Sequence, residues 1–357
     1  MAVALVCPDK FRGTLTAAGA AEALARGLEA AEVDRRRFDE VRRLPLADGG
    51  EGTLDALLAA QGGSRRRVAV TGPLGEPVEA EWGVLPDGTA VVESARASGL
   101  ALVAGSNDPL AATSRGTGEL IRAAVRGGAR RVLVAVGGSA MTDGGLGAVD
   151  ALGWSLAGVE VTVACDVTTP FLDAARLFGP QKGATAAQVA LLTRRLERLA
   201  EVYRQRTGRD VTDLAHAGAA GGLAGGLAAL GARLEPGFEV VARAAGFEAA
   251  LEGVDLVVTG EGRFDRTSLE GKVTGAVLEW AASEAVPHRA VVAGQVADDL
   301  KAGAPEPSGG PDLLLHDVLV LSLVDRVWQA GEAWARAGLL AEEAAVEVGR
   351  WALGRTG

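Results

Sequence analysis

A short strand-like run that gives way to a helix-length segment recurs at both ends of this chain. That recurrence constrains the fold more than any other feature. The runs are AVALVC (2–7) and EVRRLPL (40–46) near the start, then VDLVVTG (254–260), RAVVAG (289–294) and DVLVLSL (317–323) near the end. Parallel strands buried on both faces read as continuous apolar runs, and they need crossover spacers of helix length. Thr16 is placed to cap the first spacer helix, whose inner face carries Ala21, Leu24, Leu28 and Ala31 at three- to four-residue spacing. GTLDALLAAQGG (52–63) reads as a second helix, stopped by Gly62 and Gly63.

The middle of the chain has another texture. Residues 65–94 hold strand-like runs broken by Gly-Pro, Gly-Glu-Pro and Pro-Asp-Gly turns, a hairpin pattern. A helix around 113–127, a strand at 131–136, a helix around 145–152 and a strand at 159–164 follow. A long amphipathic helix then places Val189, Leu192, Leu196, Leu199 and Tyr203 on one face. The Gly cluster HAGAAGGLAGGLAALGA (216–232) reads first as tight helix packing and second as a phosphate-facing helix start. KAGAPEPSGGPD (301–312) reads as a solvated connection. The expected fold class is α/β: a doubly wound parallel-sheet domain made from both chain ends, with a second mixed α/β domain inserted in it. A length of 357 residues agrees with two cores. The boundaries are set at 1–66 plus 236–357 for the first domain and 67–235 for the inserted one.

A net charge of −10 argues against a nucleic-acid partner, which calls for a basic face. No run of some eighteen apolar residues offers a membrane span, and the opening MAVALVCPDK reads as a strand, so a cytoplasmic protein is expected. Cys7 and Cys165 are the two cysteines and read as reduced, buried thiols. His216, His288 and His316 do not join them in a chemically dense loop, so Cys- or His-based catalysis is disfavoured. Lysine is scarce: of 36 basic residues only Lys10, Lys182, Lys272 and Lys301 are Lys, three of them in Gly- or Pro-marked loops.

Three loops combine glycine, carboxylates and hydroxyls: PLADGGEGT (45–53), GGSAMTDGG (137–145) and TGEGRFDRTSLEGK (259–272). Glycines let backbone N–H groups approach phosphate oxygens. A carboxylate in such a cleft implies Mg²⁺ or proton transfer, so the loops point to metal-assisted phosphoryl transfer. Lys182, in FGPQKGAT (178–185), suits a ligand-reaching cation. Neither a P-loop nor a dinucleotide fingerprint is present, which weakens a P-loop kinase and a nicotinamide oxidoreductase alike.

The stretches PDKFRGTLTA, LPLADGGEGTLDAL, TGPLGEPVEA, SRGTGELI, GGSAMTDGGLG, ACDV, FGPQKGAT, AGAAGGLAGGL and TGEGRFDRTSLEGK occur together in this order. The series resembles the class I bacterial glycerate kinase family over nearly the whole chain. The resemblance implies a flavodoxin-like domain interrupted by a second α/β domain. It also implies ATP-dependent, Mg²⁺-assisted phosphorylation of D-glycerate, generally to 2-phosphoglycerate, by a monomer or homodimer. For that chemistry Lys10, Arg12, Arg263 and Lys272 are the candidate cations for the substrate carboxylate. Asp48, Asp143 and Asp265 are candidates for proton acceptor or metal ligand, with Asp48 and Asp143 the Mg²⁺ pair. Ser139 and Thr142, with Gly49, Gly50, Gly137, Gly138, Gly260 and Lys182, are the expected phosphate- or substrate-binding set, and Lys10 joins the three aspartates as catalytic. The chain departs from the family pattern at Arg12, at Met141 and in a shortened segment after Trp154. Those departures keep open a kinase for another small hydroxy acid, or a non-catalytic nucleotide- or glycerate-binding relative.

Overall fold

The computed structural model describes residues 1–156, 158–300 and 315–355, so the connection expected at 301–312 lies outside the described residues. In chain order the strands of the two large sheets are β1 (Val3–Val6), β2 (Glu40–Arg43), β3 (Ser64–Thr71), β4 (Pro77–Val84), β5 (Ala90–Glu93), β6 (Arg131–Ala135), β7 (Glu160–Cys165), β8 (Arg233–Pro236), β9 (Leu256–Thr259), β10 (His288–Ala293) and β11 (Val318–Ser322). The main helices are α1 (Ala17–Ala30), α2 (Arg115–Arg126), α3 (Leu146–Ala151), α4 (Ala186–Thr207), α5 (Leu223–Ala229), α6 (Val273–Ser283) and α7 (Ala337–Arg355). The helix expected at 52–63 spans Thr53–Gln61.

The chain forms two compact units. The first comprises Met1–Ala47, Asp55–Ala60 and Val241–Gly357; the second comprises Asp48–Leu54 and Gln61–Val240.

The first unit holds a five-stranded, all-parallel sheet in the order β11-β10-β9-β1-β2, the flavodoxin-like winding. Every residue of β1 and β9 is buried, as strands covered on both faces must be. Thr16 caps α1 by accepting the Gly19 N–H at 3.0 Å, and Ala20, Leu24 and Leu28 lie in the core beneath it. Helix α7 packs on α1 through alanines, among them Ala341, Ala344 and Ala345.

The second unit holds a six-stranded sheet in the order β3-β4-β5-β6-β7-β8. Strands β3, β4 and β5 are an antiparallel meander, with Ser64 opposite Val84 and Thr71 opposite Pro77, and β5 to β8 are parallel. The turn-broken middle sequence thus makes hairpins, and the sheet is mixed. On α4 the apolar stripe buries Leu192, Leu196 and Tyr203 in a core shared with Phe171. The Gly cluster becomes a short 3-10 turn, Ala219–Gly222, and α5, all of whose residues are buried. Close packing accounts for that stretch. Both cysteines are free and buried, and burial pushes each thiol up, away from the reactive thiolate form.

Candidate functional site

In the first unit the chain crosses from β1 to β2 on one side and reaches β9 on the other, so the winding reverses between β1 and β9. Ligands of open α/β sheets bind outside the carboxyl ends of the strands at such a point. The loop leaving β1 carries Asp9, Lys10 and Arg12; the loop leaving β9 carries Gly260, Glu261 and Arg263. Backbone bonds tie the two loops together. The Cys7 N–H donates to Val258 O at 2.9 Å, the Asp9 N–H donates to Gly260 O at 2.8 Å, and Thr259 Oγ1 donates to Cys7 O at 3.0 Å. The Phe11 N–H donates to Leu15 O at 2.9 Å, closing a turn over Arg12 and Gly13. Arg12, Arg263 and Lys272 are exposed, and Lys10 is half-buried.

Asp265 begins the 3-10 turn Arg266–Leu269, accepting from Thr267 Oγ1 at 2.7 Å and the Thr267 N–H at 3.0 Å. Those bonds, first the hydroxyl, hold its carboxyl below the usual range despite some burial, with the Lys272 and Arg263 charges adding to the effect. Lys272 Nζ donates to the same Thr267 hydroxyl at 2.7 Å. Glu261, which sequence reasoning passed over, lies deeper. Burial raises its carboxyl pKa; the Thr274 and Ser268 hydroxyls and the Lys272 ammonium lower it by less.

The second unit gathers the other two loops. The Val136 N–H at the end of β6 donates to Gly49 O at 3.0 Å, and Gly50 N–H donates to Asp48 Oδ1 at 3.0 Å. A Cβ on Gly137 would stand 2.7 Å from Gly50 Cα, so only glycine lets these loops touch. The Leu100 N–H donates to Gly138 O at 2.9 Å. Lys182, almost fully buried, donates from Nζ to Ser139 Oγ at 2.9 Å and to Met141 O at 2.6 Å. Burial lowers its pKa to about 7, although the Asp143 charge works in the opposite sense. The structure thus brings Ser139 and Lys182 together under the glycine loop. Thr142 is buried, lines a cavity of about 420 Å³ with Asp143 and the Leu192, Leu196 and Leu199 face of α4, and keeps a buried hydroxyl without a partner among the described residues.

Asp143 is fully engaged. Its Oδ2 accepts from the Ser114 N–H and Oγ, both at 2.8 Å, and from Gly147 N–H at 3.2 Å; Oδ1 accepts from Gly145 N–H at 3.0 Å. It therefore ties the starts of α2 and α3 to one loop. Gly145, at φ +79°, turns the chain into α3 in a conformation that suits glycine. Ser114 and Asn107 are further residues the sequence reading missed. Asn107 Nδ2 donates to Ala140 O at 3.0 Å and to Lys182 O at 2.8 Å, pinning the loop from outside. No local pattern announces either one, because their partners lie 29 to 75 residues away.

Among the described residues no three His, Cys, Asp or Glu side chains are grouped to hold a metal ion. Mg²⁺ often needs only one or two carboxylates, with phosphate and water completing the octahedron. Asp48 fits that requirement, since Gly50 N–H is the donor bonded to its Oδ1. Asp143 fits poorly, because both of its oxygens already receive protein donors.

The family model described as "Glycerate kinase family" matches residues 4–160 and 154–352, two segments that meet where the sequence reads as shortened. The chain is 41% identical over 334 residues to a "Glycerate 2-kinase" of Escherichia coli K12, covering 83% of this chain and 86% of that one. It is 40% identical over 334 residues to a "Glycerate kinase" of Bacillus subtilis 168, covering 84% and 86%. A crystal structure described as "putative glycerate kinase 2 from Salmonella typhimurium LT2" superposes with a TM-score of 0.81 at 34% identity, covering 99% of both chains. With the family model matching nearly the whole chain and relatives 40–41% identical over most of it, the chain belongs to the glycerate kinase family.

Proposed function

We propose that this chain transfers the γ-phosphoryl group of ATP to a hydroxyl of D-glycerate, with 2-phosphoglycerate the favoured product, in the cytoplasm, as a monomer or homodimer. The observation that carries this reading is the cation set Lys10, Arg12, Arg263 and Lys272 on the loops that begin at the β1/β9 reversal. A small hydroxy acid needs cationic groups for its carboxylate and a proton acceptor near its hydroxyl. Phosphoryl transfer asks mainly for positioning and charge stabilisation. The loop Gly137–Gly138–Ser139, braced by Lys182, suits a phosphate chain through backbone N–H groups and one buried cation.

Asp48 is assigned to hold Mg²⁺, which when bound neutralises phosphate charge. Asp143 is assigned a positioning role: it fixes the Ser139–Thr142 loop by bonding the starts of α2 and α3. Asp265 holds Thr267 and, through it, the Lys272 ammonium.

The reading is tested by ADP release with MgATP and D-glycerate, set against L-glycerate, tartronate, glycerol and no acceptor. Release that depends on D-glycerate supports it. A preference for another acid moves the assignment to a different hydroxy-acid kinase. Nucleotide binding without acceptor-dependent release would instead favour a non-catalytic relative.

A further inference from the structure

Glu261 directly follows Gly260, at the carboxyl end of β9, where the winding of the first sheet reverses. Its own carbonyl accepts the Gly294 N–H at 3.0 Å, which fixes the backbone under it. Its Oε1 is shielded from solvent and, like the Thr274 hydroxyl that acts on the same carboxylate, makes no hydrogen bond of normal geometry among the described residues. A buried acceptor without a partner costs about 1–3 kcal/mol. Several other carboxylates of these loops are committed. Asp265 holds Thr267, Asp143 holds Ser114, Gly145 and Gly147, and Asp9 Oδ1 accepts the Lys10 N–H at 2.7 Å.

The neighbours of Glu261 suit proton transfer better than salt bridging. The buried hydroxyls of Ser268 and Thr274 flank it, the exposed Lys272 ammonium acts on it, and the Asp265 charge opposes that ammonium. Burial outweighs the stabilising groups and raises its pKa towards the range where a general base is most effective.

We propose that the Glu261 carboxylate is the proton acceptor for the substrate hydroxyl. This rests on the kinase reading above. As the hydroxyl oxygen forms its bond to the γ-phosphorus, the bond from that phosphorus to the bridging oxygen breaks, and its electron pair leaves with ADP. The hydroxyl proton passes to Glu261, which then returns it to water.

The test compares wild type, Glu261→Gln and Glu261→Asp in ADP release with MgATP and D-glycerate across pH, beside thermal melting. Gln keeps the shape and cannot accept the proton. Its kcat should fall by a factor of about 10² to 10⁴ with little change in melting temperature, and Asp should recover part of the loss. Wild-type kcat/KM should fall as pH drops through a value above the ordinary carboxylate range, because the base must be deprotonated. That acid limb should vanish from the residual activity of Glu261→Gln. An active wild type with Glu261→Gln within about fivefold of it overturns this inference and leaves the kinase reading intact. So does a loss that merely tracks unfolding, or an acid limb unchanged in the Gln variant. A wild type without acceptor-dependent release overturns both.

Discussion

The loop after β6 and the loop after β9 are built from the same residue types, yet they dispose of their polar atoms in opposite ways. In the first, Asp143 accepts from Ser114, Gly145 and Gly147, and Lys182 is closed against Ser139 and Met141. In the second, Glu261 keeps a buried oxygen without a partner among the described residues, on a loop that also carries the exposed Arg263 and Lys272. One carboxylate therefore shapes its loop, while the other keeps an uncommitted acceptor atom beneath its loop. Composition alone does not separate a scaffold carboxylate from a reactive one; the count of donors around it does.

The largest effect that could break this comparison belongs to Asp143→Asn. Its amide turns an N–H₂ towards donors that expect an acceptor, which should cost about 3 kcal/mol of stability and most of the turnover. Thermal melting with a parallel rate measurement checks it, and full turnover with an unchanged melt would remove Asp143 from the account.

Lys182→Met comes next. It leaves Ser139 Oγ and Met141 O without their donor, so phosphate affinity should fall by at least tenfold in titration calorimetry with a non-hydrolysable ATP analogue. The sign of its pH effect is specific. Between about 7 and the ordinary value of 10.5 the folded amine binds fewer protons than the unfolded one, so stability rises with pH across that window. Denaturant titrations should show that rise in wild type and lose it in Lys182→Met.

Smaller still, Arg12→Met and Lys10→Met should each raise the KM for the hydroxy acid roughly tenfold with an unaltered melt, since neither side chain is buried. Thr16→Ala, at the end of the loop that carries Lys10 and Arg12, should cost about 1 kcal/mol through the lost α1 cap, read as an earlier thermal melt.

Much of this was legible before any coordinates. The all-buried strands β1 and β9 announced a parallel sheet through their unbroken apolar runs, and the Gly-Pro and Pro-Asp-Gly turns announced the β3–β5 meander. Thr16 and the α4 stripe followed from spacing alone. The commitments of individual side chains were not legible. Asp143 finds Ser114 across 29 residues and Lys182 finds Ser139 across 43, pairings that only tertiary packing creates. Glu261 escaped notice for the same reason. In sequence it is one carboxylate in a turn, and its significance comes from the packing that closes over Oε1.

The most direct test sets Asp143→Asn and Glu261→Gln side by side, each read for melting temperature and for D-glycerate-dependent ADP release. The account predicts that Asp143→Asn melts earlier and loses turnover, whereas Glu261→Gln melts with wild type and loses turnover alone. Two variants that melt alike, or a Glu261→Gln enzyme that turns over like wild type, would contradict it.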